Sequence, residues 1–203
     1  MVECYRACVR KPSRPSLLAL AAALLIAASF PSYATGEDIV AAARDQVGVT
    51  VHYDPSYHRI GYPNGDVAPE RGVCTDVIVR ALRRARGLDL QRAVHEDMAA
   101  HASVYPRRWN NAGLDTNIDH RRVPNLMAFF KRRGFEQPVS DAARDYLPGD
   151  IVAWDLGGGT LHIGIVSDVR ADNGTPLVVH NIGAGAREEN MLFNFRVIGH
   201  YRL

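Results

Sequence analysis

Near Pro148 the hydrophobic period of the chain changes, and no other feature limits its folds as much. Before that point apolar residues recur at helical spacing. Residues 37–47 (EDIVAAARDQV) open with acids and are closed by Gly48, and residues 75–86 (TDVIVRALRRAR) set Val77, Ile78, Ala81, Leu82 and Ala85 against Arg80, Arg83 and Arg84 before Gly87. Residues 90–101 predict a further helix, and a short one starts with Pro124 in its first turn and stops at Gly134. After Pro148 the period is two: 151–155, 161–167, 177–181 and 196–201 read as strands, parted by Gly157-Gly158-Gly159 and Asp172-Asn173-Gly174. Helices first and strands afterwards predict an α+β fold, with N-terminal helices packed on a C-terminal antiparallel sheet. Between the first two helices, residues 50–73 have no steady period, and a loop of that length is expected to be functional or packed on itself.

The extreme N-terminus is of another kind. Arg6, Arg10, Lys11 and Arg14 precede an uncharged run from Leu17 to Phe30, then Pro31 and Ser32-Tyr33-Ala34. A basic head, an apolar middle and a small-residue site are the parts of a cleavable export signal, with the cut expected after Ala34. A permanent anchor is a poorer reading, because fourteen helical residues reach about 21 Å against roughly 30 Å of hydrocarbon. The expectation is a signal peptide over 1–34, a single domain over 35–203, and a periplasmic or secreted monomer without a membrane span. Without residues 1–34 the chain keeps 20 basic and 21 acidic residues, so its formal charge moves from +2 to −1. That balance gives no electrostatic footprint for nucleic acid. Cys4 and Cys8 leave with the signal, so Cys74 becomes the sole thiol of an exported chain. Such a thiol is buried by chance, pairs with another molecule, or reacts.

Cys74 sits where the long loop meets the strongest amphipathic helix. The helix dipole and unpaired N–H groups there predict a lowered thiol pKa, with Thr75 and Asp76 suited to capping. A nucleophilic thiolate needs a base that another group orients. In Leu161-His162-Ile163-Gly164-Ile165 the alternation parts His162 from the three apolar side chains and sets it beside a residue with no side chain. His180 and Asn181 end the next strand. His95-Glu96 followed by His101 lacks the four-residue histidine spacing of a helical zinc protease. Cys74, His162 and His180 have zinc-ligand chemistry but no short paired spacing, so no metal or other cofactor is expected.

The order of a cysteine at a helix start, Pro148-Gly149-Asp150-Ile151-Val152, His162-Ile163-Gly164-Ile165-Val166 and then a polar residue one strand on resembles papain-like cell-wall peptidases of the NlpC type. The segment Val73-Cys74-Thr75-Asp76 departs from that family's usual Asp-Cys-Ser-Gly. With Asp115-Thr116-Asn117-Ile118-Asp119-His120-Arg121-Arg122-Val123-Pro124-Asn125-Leu126, the chain resembles a narrower bacterial group, the domain-of-unknown-function family numbered 1287. The resemblance implies Cys74 as nucleophile, His162 as general base and His180, or in its place Asn181, as the orienting residue. It further implies a tyrosine near the oxyanion, Tyr62 by spacing with Tyr53 and Tyr57 as alternatives, beside the Cys74 N–H. The 115–122 segment reads as a loop held by Asx turns, or as a place where Arg121 or Arg122 binds a substrate carboxylate, with Asp76 as a separate candidate for substrate binding. The implied activity is amide hydrolysis through an acyl thioester, with peptidoglycan stem peptides as substrate. An inert envelope-binding module and a redox thiol protein are the alternatives.

Overall fold

The computed structural model describes residues 35–107 and 113–203; the expected signal over 1–34 lies outside the described residues, as does part of the polar stretch before Pro124. Among the described residues four α-helices precede the main sheet: α1 (Gly36–Arg44), α2 (Cys74–Arg86), α3 (Leu90–Ala100) and α4 (Val123–Arg132). In the long loop β1 (His52–Tyr53) and β2 (Arg71–Gly72) form a two-residue parallel ladder, which composition alone did not suggest. The five remaining strands are β3 (Ile151–Asp155), β4 (Leu161–Arg170), β5 (Pro176–His180), β6 (Arg187–Glu189) and β7 (Arg196–Tyr201). They make one antiparallel sheet in the order β6-β5-β4-β3-β7. The mixed α+β class therefore holds. No helix among the described residues is long and apolar enough to cross a membrane.

Both faces of the sheet are covered. Ile151, Ala153, Ile163, Ile165 and Val179 join the apolar stripes of the helices, including Ile78, Leu82, Leu126 and Phe130. On the other face Val152, Trp154, Val166 and Val178 pack with Tyr146, Met191 and Leu192. This double burial explains why the central strands carry near-continuous apolar runs, Ile151-Val152-Ala153-Trp154 above all. Alternation still matters, because it decides which face each polar side chain meets. His162 lies opposite Trp154 in the ladder, with its ring stacked on the indole.

The Pro148-Gly149-Asp150 corner fixes the entry to β3. Gly149 has φ +84°, and a Cβ there would lie 2.5 Å from the Gly36 Cα, so only glycine lets the start of α1 come so close. Asp150 is buried and accepts from Leu147 N–H at 2.8 Å and from Arg202 Nε at 2.7 Å, with His200 Nε2 at 2.7 Å. Burial alone pushes this carboxyl upward, but the bonds from Arg202, His200 and the Leu147 N–H outweigh it and hold Asp150 below the usual carboxylate range. A depressed folded pKa adds stability above the unfolded value of about 3.9 and loses it as pH falls through the folded one. The thermal midpoint should therefore fall below about pH 4 more steeply in the parent than in Asp150→Asn, which should already be less stable at neutral pH. Parallel pH curves for the two proteins would remove the corner from that role.

Candidate active site

Cys74 is the first residue of α2, and the local sequence explains its placement. Val73 cannot cap the helix with its side chain, so Asp76 reaches back and accepts the Val73 N–H at 2.7 Å. Asp76 also holds Arg121 in a two-bond pair, Nε to Oδ1 and Nη2 to Oδ2 at 3.0 Å each. Arg121 in turn donates to the Asp54 and Ser56 carbonyls. Helix α2, the long loop and the 119–121 turn are thus locked behind the cysteine. The Arg121 side chain is 2 % exposed, with its guanidinium committed to Asp76. Arg121 and Arg122 both line a cavity of about 320 Å³ together with Cys74, Tyr53, Thr160 and Leu161.

The sulfur faces the open side of β4. β5 ends opposite Gly164, and just beyond that end the Ile163 N–H hydrogen-bonds Cys74. The expected lowering of the thiol pKa does not appear. Cys74 is 5 % exposed, and burial pushes the thiol up to about 12, helped by Asp76, against the pull of the Ile163, Thr75 and Cys74 N–H groups. Desolvation of the thiolate outweighs the helix terminus here. Burial also lowers His162, to about 3, with His180 adding to the shift. The site therefore holds a neutral thiol and a neutral imidazole.

His162 is set by two contacts, each braced from behind. Its ring stacks on Trp154 with centroids 5.7 Å apart, and Trp154 is itself pinned by its indole N–H to the Leu192 carbonyl. Its Nε2 lies 3.0 Å from His180 Nδ1. His180 in turn places Nε2 3.2 Å from Glu189 Oε2. Gly164 makes this arrangement possible, since a Cβ there would meet Val178 Cγ1 at 2.7 Å and His180 Cβ at 3.1 Å. Among the described residues no hydrogen bond joins the Cys74 sulfur to the His162 ring directly; their link is Ile163, whose N–H holds the sulfur.

The remaining expected residues fall as follows. Asn181 does not orient His162; it donates to the Gly72 carbonyl at 3.0 Å and braces the segment leading to Cys74. Tyr62 packs edge-on against His95, whereas Tyr53 lines the cavity, and burial together with the nearby Cys74 raises its phenol. Pairing of β1 with β2 carries Tyr53 there, through the Tyr53–Gly72 register just before the cysteine. Spacing along a chain cannot reveal that contact. Glu189 is the residue that sequence reasoning missed. It lies in a three-residue strand too short and polar to stand out, and only the β5–β6 pairing brings it to His180. Among the described residues no three His, Cys, Asp or Glu side chains cluster to hold a metal ion.

The chain is 56 % identical over 160 residues to an Escherichia coli (strain K12) protein bearing the name "Uncharacterized protein YijF", a match covering 79 % of this chain and 78 % of that one. Residues 40–203, which contain every residue of the site, match the family described as "Domain of unknown function (DUF1287)", and the chain belongs to that family.

Proposed function

We propose that this protein is an exported thiol hydrolase with a papain-like, NlpC-type arrangement, cleaving an amide bond in the bacterial cell envelope. The observation that carries the reading is the cysteine at the start of α2, on a cavity wall, with its sulfur held by the N–H next to a histidine that a second histidine orients. In the first step His162 Nδ1 takes the thiol proton as sulfur bonds to the amide carbonyl carbon. The Cys74 N–H and the Tyr53 hydroxyl are the donors for the oxyanion that forms. The C–N bond then breaks, His162 returns the proton to the leaving amine, and an acyl thioester remains. Water, deprotonated by His162, attacks that thioester and releases the acid and the thiol. Peptidoglycan stem peptides are the substrate class, as the NlpC resemblance implies.

Export fits the same picture. Cleavage after Ala34 turns the Thr35 N–H, which donates to Asp38 at 2.6 Å, into an ammonium group beside the Asp38 carboxylate at the α1 N-terminus.

The test is digestion of purified peptidoglycan with the protein beginning at Thr35, followed by mass spectrometry of soluble fragments. The parent should release peptide fragments and Cys74→Ala none. Intact mass of protein recovered from the envelope should match a start at Thr35. Fragment release by Cys74→Ala removes the thiol mechanism. Absence of release from a parent whose thiol reacts readily favours the redox or binding-module readings instead.

A further inference from the structure

The chain of rings does not stop at His180. Glu189 Oε2 is a carboxylate oxygen and can only accept from His180 Nε2 when ionised. A neutral His180 that donates from Nε2 has a bare Nδ1, and that atom faces His162 Nε2 at 3.0 Å. A hydrogen bond there requires the proton to sit on His162 Nε2. The other nitrogen of His162, Nδ1, is then left with its lone pair.

We propose that Glu189 is a positioning residue, acting through His180 to fix which nitrogen of His162 carries the proton and so to leave Nδ1 bare for the Cys74 thiol. The inference rests on the thiol-hydrolase reading for its purpose, though the proton positions can be measured without it. When His162 Nδ1 takes the thiol proton, its Nε2–H keeps donating to His180, so no bond in the chain is lost. The opposite state is equally defined. A doubly protonated His180 carries hydrogen on Nδ1, faces His162 as a donor, and forces the His162 proton onto Nδ1, where it blocks the base. Acid should therefore switch the site off through His180.

The groups acting on His180 come from both neighbouring strands. Burial lowers the His180 pKa and prevails, Glu189 on β6 pulls it up, Arg187 on β6 adds to the lowering, and neutral His162 on β4 is its partner. Glu189 thus has two effects with different chemical requirements. Fixing the tautomer needs only an acceptor, whereas raising His180 toward protonation needs the negative charge. Glu189→Gln keeps an acceptor oxygen and removes the charge; Glu189→Ala removes both.

The experiment combines tautomer-sensitive 1H–15N spectra of the histidine rings with the pH profile of Cys74 alkylation by iodoacetamide. In the parent both His162 and His180 should carry hydrogen on Nε2. Glu189→Ala should mix the two tautomers and slow alkylation at pH 7 by about tenfold, the lower end for loss of a group that orients a ligand. Glu189→Gln, whose amide can accept from His180 Nε2 or donate to it, should hold the parent tautomers less firmly than the carboxylate and move the acid limb of the profile to lower pH, because His180 becomes harder to protonate. Parent tautomers in Glu189→Ala, or an acid limb in Glu189→Gln that stays put or rises, overturn the proposal. Should the alanine variant not fold, the glutamine variant alone decides. If His162→Ala alkylates like the parent, the hydrolase reading fails, and the spectra still report on Glu189 separately.

Discussion

Replacing His162 with alanine should slow alkylation of Cys74 by about 100-fold at pH 7, the lower end of what a positioned general base contributes. Burial sets this expectation. With the thiol pushed up to about 12, almost none of it is ionised at neutral pH, so reaction depends on a base beside it. His162, lowered to about 3, is a neutral acceptor throughout the physiological range. The parent rate should accordingly stay nearly flat from about pH 6 to pH 8, as expected when a neutral local base removes the proton. In His162→Ala the proton must go to bulk solvent, and the rate should climb about tenfold per pH unit as the thiolate fraction grows. His180→Ala should fall between the two, since it frees the ring without removing it. The competing view is a structural cysteine sealed in the core. It predicts equally slow, equally pH-dependent alkylation in parent and variant, and that result would remove His162 from the mechanism.

The same pair shows how far a sequence carries and where it stops. The amphipathic pattern of 75–86 placed Cys74 at a helix start, and the helix begins at that residue. The alternation around His162 and the glycine beside it pointed to a close approach on that face, and the approaching group is His180. These are local signals written in side-chain period and size. The thiol pKa was misjudged because a helix terminus is visible in sequence whereas the depth of a sulfur under neighbouring elements is not. Tyr53, Arg121 and Glu189 illustrate the other limit. Each owes its place to a pairing between distant segments: Tyr53 to β2, Arg121 to Asp76, and Glu189 to His180. The physical work of the Pro148-Gly149-Asp150 corner lies away from the sulfur, at the contact with α1 and the bonds to Arg202 and His200.

Arg121→Met should destabilise the protein by about 3–5 kcal/mol, because it leaves the Asp76 carboxylate buried without its counter-charge. The two side chains are 2 % and 4 % exposed, and their paired bonds are supplemented by Arg121 contacts to the Asp54 and Ser56 carbonyls. Solvent can replace little of this. Asp76→Leu should cost a similar amount, since it strands the guanidinium and also removes the acceptor of the Val73 N–H at the head of α2. The double variant should be less damaged than the two single losses added together, because neither charge is then left alone. It should still fall short of the parent, given the uncapped Val73 N–H and the two abandoned carbonyls. Urea midpoints with an unchanged slope would read these differences. The pair also separates two roles for Arg121. A clamp behind the site predicts lost stability together with a disturbed Cys74 alkylation rate, as the first turn of α2 loosens. A substrate-binding arginine predicts a normal urea midpoint and normal alkylation, with only fragment release impaired. A loss below about 1 kcal/mol, the range of exposed ion pairs, would contradict the clamp and return Arg121 to the substrate side of the cavity.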